Sequence, residues 1–291
     1  MHSSMVSAPA EWFSMAVSTQ TESPYFRALL RALVLYLVSC CTVSADEQES
    51  APYLMVGTFF PYILEESMDG KPQGLAIDVL HRVTELTGDQ FKVLVLPWPR
   101  ALRLVEVGAA DGLIGPYKTR QREAILDYSA TEIYHDHMIF LSRGKDFKTI
   151  RQWRGNLQGI ADQRIITVRG WAYGAEFEQI KPRLQTVEAN TFSHGLQLLQ
   201  KGRGELLAAN ERNAIFEVRK EQLQPKIAYL TPPFGRMVGY FGFSKQKGDH
   251  QFQRRFNQAL SEMHHNGEML ELWTKHGLKL YPETAPQSLS E

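Results

Sequence analysis

The sequence predicts an α/β protein made of two units, each with a mostly parallel β-sheet covered by helices. Three observations support this prediction: short apolar runs typical of buried strands, amphipathic helical segments between them, and a second start of the same alternation at residue 164. The chain has 291 residues, 43% of them hydrophobic, which is enough for two packed domains of ordinary size. No sequence repeat relates the two units.

The first unit is predicted to begin at residue 53. Residues 53–57 form a short apolar strand, and residues 75–88 form a helix whose apolar side chains recur at helical spacing until Gly88 ends it. The alternation continues with strands at 91–96, 111–115 and 137–142 and a helix at 101–108. Strands separated by helices in this way are expected to run parallel in one sheet.

The second unit starts the alternation again. Its predicted strands are 164–170, 205–210 and 226–230, and its predicted helices are 195–202 and 211–220. A strand at 238–244 and helices near 249–265 and 267–276 then return the chain to the first unit. The end of the chain is therefore expected to complete the unit with which it began.

The chain passes between the units twice. The two crossings fall near 140–147 and 234–244 and predict a hinge of two strands. We therefore expect a first unit of 51–142 and 237–281, a second unit of 143–236, and a flexible tail at 282–291.

Residues 1–45 are predicted to be an export signal with a polar N-terminal extension. Their apolar core, 32–43, is shorter than the roughly 18–20 residues of a membrane-spanning helix, and Val43-Ser44-Ala45 has the small residues of a cleavage site. The alternative is a lipoprotein signal that ends at Cys40 and gives the protein a lipid anchor. Both cysteines lie in this segment, so the exported chain has no disulfide, and we expect a periplasmic location.

The overall charge of the chain does not indicate any particular class of charged binding partner. The chain has 32 basic and 32 acidic residues, a balance that gives no reason to expect binding to nucleic acid or to an anionic membrane. The sequence has no nucleophile elbow, Walker loop, H-E-x-x-H motif or G-x-G-x-x-G loop. His135 and His137 share one face of a strand without a third ligand nearby in the sequence, so we predict no metal site and no cofactor.

One local cluster of cations stands out against this neutral background. The predicted strand that ends at Gly115 leads into residues 117–122, which carry two hydroxyl and three cationic side chains. Ligands of open parallel sheets collect at the carboxyl ends of strands, and Arg122 can hold a carboxylate through two parallel hydrogen bonds. Thr119 would add a hydroxyl or cap the next helix. From the residues alone, an anion site and a solvated helix start both remain open.

Seven motifs, taken together, resemble one protein family. In chain order they are VGTFFPYIL, DGKPQGLAIDVLHRV, PWPRALRLVEVGAADGLIG, TRQREAILDYS, VRGWAYGAEF, GRGELLAAN and ALSEMHHNGEMLELWTKHG. Their order and spacing from Tyr53 to about Leu280 resemble the family 3 extracellular solute-binding proteins, the periplasmic components of polar amino acid ABC importers. The PWPRAL and RGWAYG segments suggest a divergent branch of that family. The resemblance implies a periplasmic-binding-protein-like type II fold, in which two α/β lobes close over a ligand about a two-strand hinge.

The resemblance also assigns ligand-binding roles in the first lobe. Arg122 is expected to bind the ligand carboxylate, with Thr119 and the backbone around Tyr117 beside it. Three aromatic residues are expected to wall the ligand or stack on it, and these are Phe60, Tyr62 and Trp98.

The second lobe is expected to contribute three further residues. Gly170 and Trp171 would open a helix N-terminus towards the same carboxylate. Family members that bind α-amino acids usually carry an aspartate for the ligand ammonium where this chain has Asn210, and Tyr117 replaces a small hydroxyl residue. Because an unpaired buried ammonium costs several kcal/mol, either the neighbouring Glu211 substitutes or the ligand is not an ordinary α-amino acid.

The resemblance implies a monomeric, non-enzymatic protein that binds a small carboxylate-bearing solute and delivers it to a membrane ABC permease. Two alternatives remain open. Cyclohexadienyl dehydratases resemble this family and use an acidic residue in the cleft, a role that Glu176 or Glu211 would have to take here. The other alternative is a ligand sensor that docks on a membrane signalling protein.

Overall fold

In the computed structural model, the described residues are 51–144 and 152–278, together with Tyr25. The described residues from 51 onward belong to one compact unit. The predictions for the export signal, for Cys40 and for the tail at 282–291 lie outside the described residues. Within the described part of the chain, no helix has the length and apolar character needed to span a membrane.

Nine strands of the described chain form one mixed sheet, and two short strands form a separate hairpin. The sheet strands are β1 (Tyr53–Gly57), β4 (Phe91–Val95), β5 (Gly112–Tyr117), β6 (Leu126–Tyr128), β7 (Tyr134–Arg143), β8 (Arg164–Val168), β9 (Gln185–Ala189), β10 (Leu206–Asn210) and β11 (Ile227–Ser244). The hairpin strands are β2 (Glu65–Glu66) and β3 (Pro72–Gln73). The sheet order is β4-β1-β5-β11-β7-β10-β8-β9, and β6 pairs with β11.

The sheet consists of two parallel groups joined by an antiparallel pair. Strands β4, β1 and β5 run parallel to one another and form what we call the first half. Strands β10, β8 and β9 are also parallel and form the second half. The parallel prediction therefore holds within each half, whereas β7 and β11 run antiparallel to each other and to the neighbouring strands β10 and β5.

Strand β11 spans both halves, which differs from the two strands expected at 226–230 and 238–244. It pairs with β7 from Ile227 to Gly239, except for an irregular register between Leu230 and Gly235, which surrounds Pro232-Pro233. Proline lacks a backbone N–H and so interrupts a ladder, but here the strand continues beyond the interruption. The predicted domain boundaries at 142/143 and 236/237 fall within these two long strands and remain a prediction.

Eight α-helices with defined bounds lie in the described chain. They are α1 (Leu75–Thr87), α2 (Trp98–Glu106), α3 (Arg120–Glu123), α4 (Ala175–Ile180), α5 (Phe192–Gln200), α6 (Glu211–Lys220), α7 (His250–His265) and α8 (Glu268–Lys275). Helix α2 begins three residues earlier than predicted, because Pro97 caps it and Pro99 occupies its first turn, where proline is well tolerated. This earlier start makes Trp98 the first residue of the helix.

The core explains why the C-terminal helices pack against the first half. Phe252 and Phe256 of α7 are fully buried, and their rings pack edge-on against Phe243 of β11. Helices α7 and α8 also contact α1. A second cluster of buried apolar side chains, which includes Ile166 and Leu207, lies in the second half.

Candidate functional site

A small cavity lies where the carboxyl ends of strands from both halves meet. Eight residues line it: Phe60, Trp98, Gly115, Tyr117, Arg122, Trp171, Ala172 and Asn210. Six of the nine sequence-predicted site residues are among them. The side chains leave about 10 Å³ of water-accessible space, which is about the room needed for one water molecule. A solute larger than water therefore enters only if the halves separate or the lining side chains move.

Arg122 lies at the centre of this cavity and connects the two halves. Its Nη1 donates to the Tyr117 carbonyl at 3.1 Å, and its Nη2 donates to the Gly170 carbonyl at 3.0 Å. Its guanidinium carbon lies 4.8 Å from the centre of the Trp98 ring, in the geometry of a cation–π contact. The side chain is thus fixed by one carbonyl from each half and by an aromatic face.

The charge of Arg122 is buried without an opposite charge beside it. The residue is only 6% exposed, and it forms no ion pair with any described carboxylate. Burial lowers the pKa of the guanidinium below its ordinary value, because the charged form loses its hydration. A guanidinium with neutral partners is an electrostatic site that a carboxylate would complete.

Thr119 acts on Arg122 through the backbone. Its hydroxyl accepts the Arg122 N–H at 3.2 Å and so caps α3, which was one of the two roles expected of this residue. It does not line the cavity. The cap holds the start of α3 against the end of β5, and the Arg122 side chain extends from that helix into the cavity.

Trp98, which also lines this cavity, carries a buried donor without a partner in the described chain. Its indole Nε1–H is buried and has no hydrogen-bond partner among the described residues. An unpaired buried N–H costs about 1–3 kcal/mol of desolvation, so it is rarely left without a functional reason. The Trp98 ring packs edge-on against Phe60, which fixes the orientation of the indole.

Behind the cavity lies a buried ion pair that the sequence did not reveal. Arg212 binds Asp136 through two hydrogen bonds, Nε to Oδ1 at 3.1 Å and Nη2 to Oδ2 at 2.7 Å. The exposed fractions of these side chains are 8% and 2%. Tyr117 also donates its hydroxyl to Asp136 Oδ2 at 2.6 Å, and Arg212 Nη1 donates to the Pro61 carbonyl at 2.7 Å.

This network fixes the protonation states around the cavity. Burial alone would lower the pKa of Arg212, but the Asp136 carboxylate outweighs burial and raises that pKa above its ordinary value. Burial, reinforced by the same carboxylate, raises the pKa of the Tyr117 phenol well above its ordinary value. Arg212 is therefore charged and Tyr117 neutral over the physiological pH range.

The segment after β8 differs from the helix N-terminus that was expected there. Gly170 and Trp171 form a turn, with the Trp171 N–H bonded to the Val168 carbonyl, and α4 begins only at Ala175. Glycines 170 and 174 have φ angles of +74° and +102°, which keep the segment out of the helical region. The Gly170 carbonyl accepts the hydrogen bond from Arg122. Trp171 lines the cavity, and its ring stacks on that of Phe192 with the ring centres 5.8 Å apart.

Asn210 lines the cavity and also starts α6. Its side-chain oxygen accepts the Asn213 N–H at 2.9 Å, so it is the N-cap of this helix. The next residue, Glu211, lines a different cavity of about 340 Å³, where its carboxylate lies 3.6 Å from His137. Glu211 therefore does not supply the negative charge that Asn210 lacks.

Tyr62 is the one predicted aromatic residue that the structure places outside the cavity. It is 39% exposed, lines the larger cavity with Glu211, and packs edge-on against Phe216 of α6. Its backbone has a φ of +67°, a left-handed conformation that turns the chain between Phe60 and Ile63. Among the described residues, no group of His, Cys, Asp or Glu is arranged to hold a metal ion.

Two α/β halves joined by a pair of long antiparallel strands, with a small cavity between them, define a periplasmic-binding-protein-like type II fold, as predicted. Within this class, the sequence profile of the bacterial extracellular solute-binding proteins, family 3, matches residues 53–279. The chain belongs to this family, and the predicted resemblance is confirmed.

Solved structures with the same fold are distant in sequence. A histidine kinase sensor domain with similarity to periplasmic binding proteins has a TM-score of 0.66 at 16% identity, covering 77% of this chain and 95% of that one. A mutant of ArgBP from T. maritima has a TM-score of 0.65 at 18% identity, covering 80% and 98%. The GluR0 ligand-binding core in complex with L-glutamate has a TM-score of 0.62 at 18% identity, covering 78% and 98%. A comparison with curated protein sequences found no match.

Proposed function

We propose that this protein binds a small carboxylate-bearing solute in the cavity between its two halves. The observation that carries the proposal is the Arg122 guanidinium, which is buried with two carbonyls and an aromatic ring as its partners. A carboxylate is the group that best complements such a cation, because it accepts two parallel hydrogen bonds and supplies the missing charge. The unpaired Trp98 N–H offers the same carboxylate a third donor.

Binding would bias the equilibrium between separated and apposed halves. A ligand that contacts Arg122 and Tyr117 from the first half and Trp171 and Asn210 from the second binds the apposed arrangement more tightly. The protein would act in the periplasm and deliver its ligand to a membrane ABC permease, a role supported by membership of the solute-binding family. Among the solved structures with this fold is a substrate-binding protein of an amino acid ABC transporter.

A thermal-shift screen tests the proposed function directly. Purified protein is heated with amino acids, opines, small organic acids and polyamines, because a ligand that binds the folded state raises Tm by mass action. We expect at least one carboxylate to raise Tm and the polyamines to leave it unchanged. A shift with polyamines alone, or none with any carboxylate, would contradict the proposal.

Sensing is a second candidate function, favoured by one comparison. A histidine kinase sensor domain has the same fold and covers 77% of this chain. A sensor would use the same ligand-induced closure but present the closed surface to a signalling protein instead of a permease. Uptake of a radiolabelled ligand by cells with and without this gene separates the two roles, since only a transport component is required for uptake.

The geometry gives little support to an elimination enzyme on this scaffold. Of the two acids considered for that role, Glu211 lines the larger cavity beside His137, and Glu176 is exposed on α4. Neither lines the cavity that contains Arg122. We expect no aromatic product when the protein is incubated with prephenate or arogenate, and turnover of either compound would contradict a pure binding role.

A further inference from the structure

The charges around the cavity narrow the class of ligand. We propose that the ligand is a monocarboxylate with a flat apolar body and no ammonium group, rather than a zwitterionic amino acid. This inference rests on the proposed function, because it assumes that the ligand binds beside Arg122.

A zwitterionic ligand would need an acid near the cavity to pair with its ammonium group. None of the eight described residues that line it carries a carboxylate. The nearest buried acid in the network, Asp136, has both oxygens bound to Arg212 and receives a further hydrogen bond from Tyr117. An ammonium group would therefore enter the cavity without a free anionic partner, and an unpaired buried charge is strongly unfavourable.

Two other acids near this end of the second half, Glu211 and Glu178, lie outside the cavity. Glu211 faces the larger cavity with His137, and Glu178 accepts the backbone N–H of Tyr173 from an exposed position on α4. Neither side chain lines the cavity of Arg122. The charges of Arg122, Arg212 and Asp136 leave a net charge of one positive unit, which matches a ligand with one negative charge.

Half of the residues that line the cavity are aromatic. Four aromatic side chains line the cavity: Phe60, Trp98, Tyr117 and Trp171. The phenol group of Tyr117 is occupied by Asp136, so this residue presents mainly its ring to the cavity. Apart from Arg122, the polar side-chain groups at the cavity are the Trp98 N–H and the Asn210 amide, whose oxygen already caps α6. Such walls suit a flat apolar group.

The test compares matched ligands that differ in one charged group. Isothermal titration calorimetry at pH 7.5 uses phenylalanine, 3-phenylpropionate and phenethylamine, and then tryptophan, indole-3-propionate and tryptamine. The two desamino acids, 3-phenylpropionate and indole-3-propionate, lack the ammonium group of the corresponding amino acid. We expect at least one of them to bind, with an affinity at least tenfold higher than that of its amino acid. We expect neither amine to bind. An amino acid that binds as tightly as its desamino partner overturns the inference but leaves the proposed function intact.

The two proposals fail in different ways. If none of these carboxylates binds, the ligand class is wrong, and the wider carboxylate screen then decides whether Arg122 serves a carboxylate at all. Binding of an amine without any carboxylate contradicts both proposals. Each outcome is measured on the unmodified protein, so none depends on a variant that fails to fold.

Asn210→Asp supplies the missing negative charge and tests the inference a second time. Aspartate is as good an N-cap as asparagine, so α6 is expected to form as before. The preference for desamino acid over amino acid should fall at least tenfold. Asn156→Asp makes the same change at a cap remote from the cavity and should leave the preference unchanged. An unchanged preference in folded Asn210→Asp overturns the inference.

Discussion

Arg122 donates a hydrogen bond of 3.0 Å to the carbonyl of Gly170, and this bond links the end of the first half to the turn after β8 in the second half. The same Nη2 group is one of the two donors that a bound carboxylate would use. Nη2 carries two N–H groups, so one can remain on the Gly170 carbonyl while the other serves the ligand. A ligand carboxylate would therefore add to the internal contact that already links the halves.

Arg122→Ala should abolish most ligand binding while the protein still folds. Removing one partner of a buried charge pair costs about 2–5 kcal/mol of binding free energy, because the ligand carboxylate is left unpaired. Titration calorimetry with the best ligand from the screen measures the loss. Arg120→Ala is the matched control, since Arg120 is exposed two residues earlier in the same helix. Equal affinities of the two variants would exclude Arg122 from the site.

Trp98→Phe should weaken binding at little cost to the stability of the fold. The change keeps an aromatic ring but removes the unpaired N–H, so the free energy of unfolding should not fall by more than the loss of packing area, about 1 kcal/mol. Ligand affinity should fall by about three- to tenfold, which corresponds to one hydrogen bond of about 0.5–1.5 kcal/mol. Titration calorimetry and urea unfolding measure the two quantities.

Trp273→Phe is the control with the opposite expected result. The indole N–H of Trp273 donates to the Ile133 carbonyl at 2.6 Å, and Trp273 does not line the cavity. This variant should lose stability and keep its affinity. If Trp98→Phe also kept full affinity, the unpaired indole N–H would not be a ligand contact.

Removing one partner of the Asp136–Arg212 pair should lower the free energy of unfolding far more than replacing both partners with apolar residues. Arg212→Met leaves the Asp136 carboxylate buried and should lower the free energy of unfolding by about 3–5 kcal/mol, whereas Asp136→Leu together with Arg212→Met should cost much less. Urea unfolding of the two single variants and the double variant gives a double-mutant cycle. Additive effects would show that the two side chains do not interact.

His135 should make the protein less stable as the pH falls. Burial lowers the pKa of its imidazole below the usual value of 6.5, and the facing Arg236 guanidinium lowers it further, against a smaller opposing effect of Glu132. The folded state therefore binds protons less readily than the unfolded state, and stability is lost as the pH falls through 6.5 and levels off below the folded pKa.

The free energy of unfolding at pH 7.5 and pH 5.0 measures this effect. We expect His135→Gln to reduce the difference between the two pH values, because the titrating group is gone. His81→Gln is the control, since His81 is exposed on α1. A difference as large in His135→Gln as in the wild type would assign the pH dependence to other groups.

The strand ends that form the site could be predicted because apolar runs reveal buried strands. Tyr117, Trp171 and Asn210 each lie at or just after such a run, and parallel strands bring these ends to one edge of the sheet. The cation of Arg122 was recognisable for the same reason, since it follows the end of β5 by five residues.

The Asp136–Arg212 pair could not be predicted, because the two residues are separated by 76 positions in the sequence. One signal was present, however. In the strand around His135 and His137, the alternate positions Tyr134, Asp136 and Met138 face inward, so that a carboxylate falls on the buried face. A buried acid requires a cationic partner, but no feature of the sequence identifies Arg212 as that partner.

The position of Tyr62 depended on backbone conformation rather than on residue type. It lies two residues beyond Phe60, and the pattern of three nearby aromatic residues gave no reason to separate them. Its left-handed backbone turns its ring towards α6, and only the packed structure determines that turn. Similarly, two glycines with positive φ delay the start of α4, although the glycines themselves were visible in the sequence.

One side chain, that of Asn210, both begins α6 and helps set the charge at the cavity. Asparagine and aspartate are equivalent for the first task and opposite in effect for the second. Their codons differ by a single nucleotide. Under the proposed function, one mutational step would therefore change the charge of the recognised solute without a compensating change in the scaffold. Solute recognition would then be free to diverge between close relatives while the fold stays constant.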